Sequence, residues 1–342
     1  MIAYYAHSHG NGHFNSAKLF ADTIYEHTLI LKAKEPNTLS NYHIVPIEDE
    51  DTSVEEYKSA IANLPDYAHY LPKSNKKILK RAKQIIDSII AYNITLVCVD
   101  VSVETATLCR LCSIPYGYYL LPGDREDEPH KIAYRAAEFL YTFLPRQMLD
   151  QHVYAPFVSK TFFLGFFSRF AYCSQYRIVE NTPKLDGKKV LIICGNGGTN
   201  FTAEMIIQIQ EKLAICNIKV VGNINGDSEL LGNDYLGYVT NVDTYIKESD
   251  VVISSCGINL TAEILSLKNK FIAYPENRPY KEQEKMAQAL IKNKLAVLFD
   301  LETIDKCVKN YLQLIPPKDL KQWFYKPEDI INFKNKIKSY ET

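Results

Sequence analysis

"DVVISSCGINLTAEILSLKNKFIAYP", residues 250–275, decides the fold. DVVISSC is a short, continuous apolar run that ends in small residues. NLTAEILSLKN then places Leu260, Ile264 and Leu267 at helical spacing, and KFIAYP is a second short apolar run. Apolar runs that do not alternate with polar residues belong to strands buried on both faces. A helix between two of them makes a strand–helix–strand unit with parallel strands.

The same beat runs through the rest of the chain. Before this stretch come the strand KKVLIICG, the helix FTAEMIIQIQEKLAIC, the strand IKVVGNI and the helix VDTYIKES. After it come the helix KEQEKMAQALIKN, the short strand AVLFD and the helix ETIDKCVKNYLQLI. The amino-terminal half carries its own series. IAYYAH, HIVPIE, ITLVCVD and PYGYYLL are predicted strands. Phe14 to about Leu29, SVEEYKSAIANL, KKILKRAKQIIDSIIAY, VETATLCRLC and HKIAYRAAEFLY are predicted helices. Two such series predict an α/β protein with two doubly wound, Rossmann-like domains facing each other across a cleft. Proline, glycine and charge cluster between Glu180 and Lys189, which places the boundary there. The expected units are residues 1–180, residues 188–316, and a helical tail, 317–342, that carries the single tryptophan, Trp323, and packs back on the first domain.

The 342 residues suit two domains of ordinary size. A hydrophobic fraction of 46% and a charged fraction of 23% are those of a globular protein, and a net charge of −1 gives no electrostatic case for nucleic acid as partner. The opening apolar run is too short for a secretory signal, and no apolar stretch approaches the roughly 20 residues of a membrane helix. Cys98, Cys109, Cys194 and Cys256 fall inside predicted strands and helices, so the eight cysteines read as reduced thiols of a cytoplasmic protein. Cys109 and Cys112 form a C-x-x-C, but no second pair or nearby histidine completes a zinc set. Core packing is the expectation, and no metal site is expected.

Ligands of open parallel sheets bind beyond the carboxyl ends of the strands. Four loops there are unusual. Gly10-Asn11-Gly12-His13-Phe14-Asn15 begins like a dinucleotide fingerprint, but Asn15 replaces its third glycine and no acidic residue ends a second strand at the usual offset. That leaves His13 at a helix start, as a general base or merely as a helix cap; Gly12 beside it keeps the backbone open. Gly195, Gly197 and Gly198, followed by Thr199 and Asn200, uncover backbone N–H groups where phosphate binds, or form a plain turn. Ser255, Gly257 and Ile258 lead into a helix with Glu263 about one turn in. Its carboxylate suits the hydroxyls of a ribose, or complements the helix dipole. Glu282 and Gln283 open a further helix and suit sugar hydroxyls, or are simply exposed helix residues. Asp100 ends the strand LVCVD and rivals His13 as base. In the polar loop Gly123-Asp124-Arg125, Arg125 suits a phosphate or carboxylate on an acceptor, although a solvated loop is the plainer reading. The aromatic stretch YAPFVSKTFFLGFFSRFAYC, residues 154–173, reads as a buried strand with an interdomain wedge, or as a contact with a membrane surface or a lipid-linked acceptor.

"GNGGTN", then "SDVVISSCGINLTAEILSLKNKFIAYP", then "EQEKMAQAL" resemble the donor half of the MurG-like nucleotide-sugar glycosyltransferases of GT-B fold. "HGNGHFNSA" resembles that family's glycine-rich acceptor-side loop, with His13 at its histidine. DVSVETATLCRLCSIPYGYYLLPGDREDEPH and FLGFFSRF look like a bacterial subgroup of such transferases. The resemblance implies a nucleotide sugar, by first choice a UDP-sugar, bound in the second domain, and no cofactor besides that donor. Glu263 would hold the ribose. Ser255, Gly257, Ile258 and Thr199 would surround the diphosphate, and Glu282 and Gln283 would hold the donor sugar. His13 would activate the hydroxyl of a carbohydrate or lipid-linked acceptor, so that the sugar is transferred with inversion. The departure Phe14-Asn15-Ser16 leaves the acceptor class open. A nucleotide-sugar hydrolase, a 2-epimerase and a non-catalytic nucleotide-sugar sensor are the alternatives. The expected location is the cytoplasm, with the inner membrane face as a further option.

Overall fold

The computed structural model describes residues 1–7, 10–33, 41–49, 64–170, 172–173, 179–195 and 199–341. Seven strands form the first sheet: β1 (Ile2–Ala6), β2 (Leu29–Lys32), β3 (His43–Pro46), β4 (Leu96–Asp100), β5 (Tyr116–Tyr119), β6 (Phe139–Thr142) and β7 (Thr161–Phe163). Their spatial order is β3-β2-β1-β4-β5-β6-β7 and every neighbouring pair is parallel. The second sheet contains β8 (Lys189–Ile193), β9 (Asn217–Val221), β10 (Val251–Ser255), β11 (Phe271–Tyr274) and β12 (Ala296–Leu298), in the order β12-β11-β10-β8-β9, again parallel throughout.

Helices α1 (Gly10–Thr23), α2 (Lys76–Ala91), α3 (Val103–Leu111) and α4 (Glu128–Ala136) flank the first sheet. Helices α5 (Ala203–Lys212), α6 (Val242–Glu248), α7 (Ile258–Lys268), α8 (Glu282–Lys292) and α9 (Ile304–Gln313) flank the second, and α10 (Pro327–Lys338) follows. Central strands are covered on both faces, so all five residues of β1, β4 and β10 are buried. That is why their sequences are apolar without alternation. The strand order reverses between β1 and β4 in one sheet and between β8 and β10 in the other. Crevices open at such reversals, and they lie at the loops that follow β1, β4, β8 and β10.

Three strands of the first sheet differ from the sequence reading. The helix expected from Phe14 to Leu29 runs from Gly10 to Thr23, so Gly10 and Gly12 sit in its first turn rather than in a loop before it. Leu29–Lys32 then pairs beside β1 as a strand. The helix expected through EFLY ends at Ala136; Ala137 turns extended and Phe139–Thr142 becomes β6. Thr161–Phe163, from the aromatic stretch, is the edge strand β7. Short apolar runs fit a strand or a buried helix end equally well, and only pairing with neighbours decides. Of the expected helix SVEEYKSAIANL, residues 53–63 lie outside the described residues.

The chain crosses between the sheets twice, and the two crossings lie side by side. Phe166 N–H donates to the Trp323 carbonyl at 2.9 Å, and Tyr325 N–H donates to the Phe166 carbonyl at 3.1 Å. Gly165 makes this approach possible. Its φ is +81°, and a Cβ there would stand 2.8 Å from the Phe324 carbonyl carbon. Beyond the crossing, α10 packs Phe333, fully buried, against Phe20, Phe139, Tyr141 and Phe162 of the first domain. The aromatic stretch packs inward in the same way: Phe167 stacks on Tyr325 at 4.6 Å and Phe166 meets Phe324 at 5.7 Å. All eight cysteines are free; Cys109 is buried, while Cys112 is exposed rather than in the core. Among the described residues no helix is long and apolar enough to cross a membrane.

Candidate active site

A cavity of about 1350 Å³ lies between the two sheets and is lined by both domains. His13 reaches it from α1 and Asp100 stands behind at the end of β4. His13 Nδ1 is 2.9 Å from Asp100 Oδ2. Asp100 is fully buried, whereas the His13 side chain keeps 19% exposure. Only the histidine therefore has a face toward the cavity, and the pairing puts Nδ1 on the carboxylate and leaves Nε2 as the ring nitrogen that could take a proton. Burial alone would lower the His13 pKa. The charge and hydrogen bond of Asp100, with help from Glu282, outweigh it, so the value lies above the usual 6.5. Asp100 Oδ1 is buried without a partner among the described residues, and the next residue, Val101, holds a left-handed φ of 53°. A β-branched residue is strained there, at the rim of the cavity. Gly12 lines the same wall with open space where a Cβ would stand.

Arg125 is not part of a solvated loop. It is 5% exposed, its Nη1 donates to His130 Nε2 at 3.0 Å, and its Nη2 stands 3.7 Å from Glu282 of the second domain. His130 accepts from a cation through Nε2, so its proton sits on Nδ1 and is given to Asp127 at 2.7 Å. Burial, with the Arg125 charge added, brings the His130 pKa down to about 4 and keeps the ring neutral. Asp127 also pairs with His69 at 2.9 Å and caps α4 by accepting from the His130 amide at 3.1 Å. His69, Asp127 and His130 are close enough to hold a metal ion. A metal on His130 Nδ1 would push the ring proton to Nε2, against the Arg125 N–H. The trio thus reads as the anchor of Arg125.

The opposite wall rises from the loops of the second sheet. Ser255, Gly257, Ile258 and Glu263 all line the cavity, and α7 begins at Gly257 without a side-chain cap. Gly222, which ends the crossing from β9, has φ +93°. A Cβ there would meet the Cys194 carbonyl oxygen at 2.0 Å, so only glycine lets the two strand ends converge. Gly197 and Gly198 lie outside the described residues. Thr199 is buried, and its hydroxyl donates to Glu276 Oε1 at 2.7 Å. Glu263 pairs with Arg169 of the crossing segment at 2.8 Å; burial raises its pKa and Arg169 partly restores it.

Glu282 and Gln283 open α8 as expected, but they have different settings. Glu282 faces Arg125 across the cleft; burial raises its pKa, against the pull of Arg125 and His13. Gln283 is buried, not an exposed helix residue, and its Oε1 accepts from the amides of Cys256 and Glu276, each at 3.0 Å. Sequence reasoning missed Glu276, Arg278, Tyr280, Arg169 and His69. Glu276 follows the end of β11, the position that marked the other loops, so it had a signal. Arg278 and Tyr280 lie in the same loop, whereas Arg169 and His69 are brought in from other elements and had no signal.

Two parallel doubly wound sheets, facing each other over a cavity with a histidine–carboxylate pair on one wall and the strand-end loops of the second sheet on the other, make up the GT-B architecture. Residues 175–339 match the glycosyltransferase family 28 C-terminal domain. Three solved structures show the same fold. MurG of Acinetobacter baumannii is 11% identical with a TM-score of 0.61, over 99% of each chain. The UDP-glucosyltransferase of Polygonum tinctorium capable of glucosylating indoxyl is 11% identical, with a TM-score of 0.65 over 100% of this chain and 98% of that one. Spinosyn rhamnosyltransferase SpnG, complexed with thymidine diphosphate, is 11% identical, with a TM-score of 0.62 over 99% of this chain and 96% of that one. No curated protein sequence matches. Residues 175–339 thus resemble the family 28 C-terminal domain, and the whole chain shares the GT-B fold of MurG and of the other glycosyltransferases named above.

Proposed function

We propose that the protein transfers a sugar, with inversion, from a pyrimidine nucleoside diphosphate sugar, by first choice a UDP-sugar, to an acceptor hydroxyl. The observation that carries this reading is the His13–Asp100 pair at the β1/β4 reversal, set across the cavity from the uncapped start of α7. His13 Nε2 takes the acceptor proton, the acceptor oxygen attacks the anomeric carbon, and the bond from that carbon to the diphosphate oxygen breaks. Asp100 holds the imidazole and stabilises the imidazolium. The amides at Gly257 and Ile258 face the charge that grows on the leaving diphosphate, a preorganised term that needs no rearrangement during reaction.

Glu263 is the ribose ligand in this reading, once a donor displaces Arg169. Glu282 holds the donor sugar, with Arg125 keeping its carboxylate in place. The pyrimidine choice follows the two nucleotide names attached to similar folds, UDP for the Polygonum enzyme and thymidine diphosphate for SpnG. SpnG has also been solved with spinosyn aglycone, which fits an acceptor in the same cleft. The acceptor wall mixes Asn15, Ser16, Asp22, Ser102 and Glu104 with Leu19, Val101 and Leu121, and its polar groups suit a hydroxylated carbohydrate. The test is turnover against a panel of nucleotide sugars and saccharide acceptors, read as nucleoside diphosphate release. Wild type turns over one donor, and His13→Ala loses about 10²–10⁴-fold in kcat while still binding that donor. Full activity of His13→Ala would remove it as the base.

A further inference from the structure

Two buried side chains stitch the donor loops together. Gln283 Oε1 ties the β10 loop to the β11 loop through the amides of Cys256 and Glu276. Glu276, 1% exposed, ties the β11 loop to the β8 loop: Oε1 accepts from the Thr199 hydroxyl at 2.7 Å and from the Asn200 amide at 3.0 Å. Its other oxygen, Oε2, accepts from Arg278 Nη2 at 2.7 Å. A carboxylate is costly to bury, and this one is answered by a hydroxyl, an amide and a guanidinium. The guanidinium is not buried with it. Arg278 keeps 32% exposure and lines the cavity beside Glu276, Gln283 and Gly195.

From this geometry we infer that Arg278 is a ligand of the donor diphosphate and that Glu276 is the positioning residue that aims it. The inference rests on the nucleotide-sugar reading above. A backbone cradle alone meets a diphosphate with partial charges. Arg278 adds a full positive charge on the same wall, and its planar fork suits phosphate oxygens. Because one carboxylate holds both Arg278 and the Thr199–Asn200 end of the β8 loop, the cation and that loop end are set at a fixed spacing before the donor arrives. Such preorganisation lowers the cost of ordering them on binding.

The test is titration of wild type, Arg278→Ala, Arg278→Lys, Glu276→Gln and the double variant Glu276→Gln/Arg278→Ala with UDP, by calorimetry, and with uridine, by ligand-observed NMR. Arg278→Ala is expected to weaken UDP by on the order of ten- to a hundredfold, the worth of a charge-assisted contact, and to leave uridine unchanged. Arg278→Lys recovers part of the loss. Glu276→Gln weakens UDP in the same direction, and the double variant loses less than the two single losses combined, because part of the Glu276 effect runs through the same guanidinium. Were Glu276→Gln not to fold, the two Arg278 variants, at a partly exposed position, carry the test alone. Unchanged UDP affinity in Arg278→Ala, or an equal loss for uridine, overturns the inference and leaves the donor reading standing. Wild type that binds none of UDP, TDP and GDP overturns both.

Discussion

At the scale of single residues, the account turns on how Asp100 sets His13. The imidazole pKa is raised because Asp100 favours the charged ring more than burial penalises it. A base must be unprotonated to act, so kcat/KM rises with pH along a limb centred above 6.5. Asp100→Asn removes the carboxylate charge, moves that limb to lower pH, and cuts kcat by on the order of 10²-fold as the ring loses its tautomer and orientation. A pH–rate profile of the two proteins checks both effects. Stability follows the same sign. A raised histidine pKa stabilises the fold fully below the unfolded value and stops doing so as pH climbs through the folded one, so Asp100→Asn should lose more stability at about pH 5 than at about pH 9. Urea midpoints at the two values measure it.

At the scale of elements, the second domain was legible almost throughout, because each strand there is a short apolar run bounded by glycine, proline or asparagine. The first domain hid β2, β6 and β7. Leu29–Lys32 continues the apolar pattern of the helix before it, and Phe139–Thr142 continues an alanine-rich helix into aromatics, so no local signal marks either start. The site was legible where chemistry sits at strand ends, as with His13, Asp100, Ser255 and Glu263. Its burial was not. Nothing in the sequence says that Gln283 and Arg125 are enclosed or that Arg169 meets Glu263, since those facts depend on how separate elements pack together. The crossing at Gly165 gives a prediction at this scale. Alanine there must hold a left-handed φ and press on the Phe324 backbone, which costs roughly 1–3 kcal/mol. Gly165→Ala should melt several degrees below wild type by calorimetry, whereas Gly187→Ala, with open space around its Cβ, should lose less.

At the scale of the whole molecule, the two domains hold each other through one clasp. The Tyr280 ring sits 4.9 Å from His130, 5.4 Å from His69 and 4.7 Å from the Arg125 guanidinium, all of the first domain. Its carbonyl accepts from the Asp124 amide at 2.7 Å, and Asp124 pairs with Lys281 and Lys285. Tyr280 and Lys281 adopt left-handed φ values of 58° and 52° to make this docking. Arg125 and Glu282 meet beside it, so the clasp also holds Glu282 within the electrostatic reach of His13. Tyr280→Ala should leave each domain folded and let the pair open. Small-angle scattering should show a larger radius of gyration, and kcat should fall more than donor affinity. Unchanged scattering and kcat would remove the clasp from the account.

The most direct measurement of the central claim is a crystal structure of the protein grown with UDP. The account predicts the nucleotide between the sheets, its ribose on Glu263 in place of Arg169 and its diphosphate against Ser255, Gly257 and Thr199, with His13 facing it across the cleft. A nucleotide bound outside that cleft, or a His13 ring turned away from it, would contradict the account.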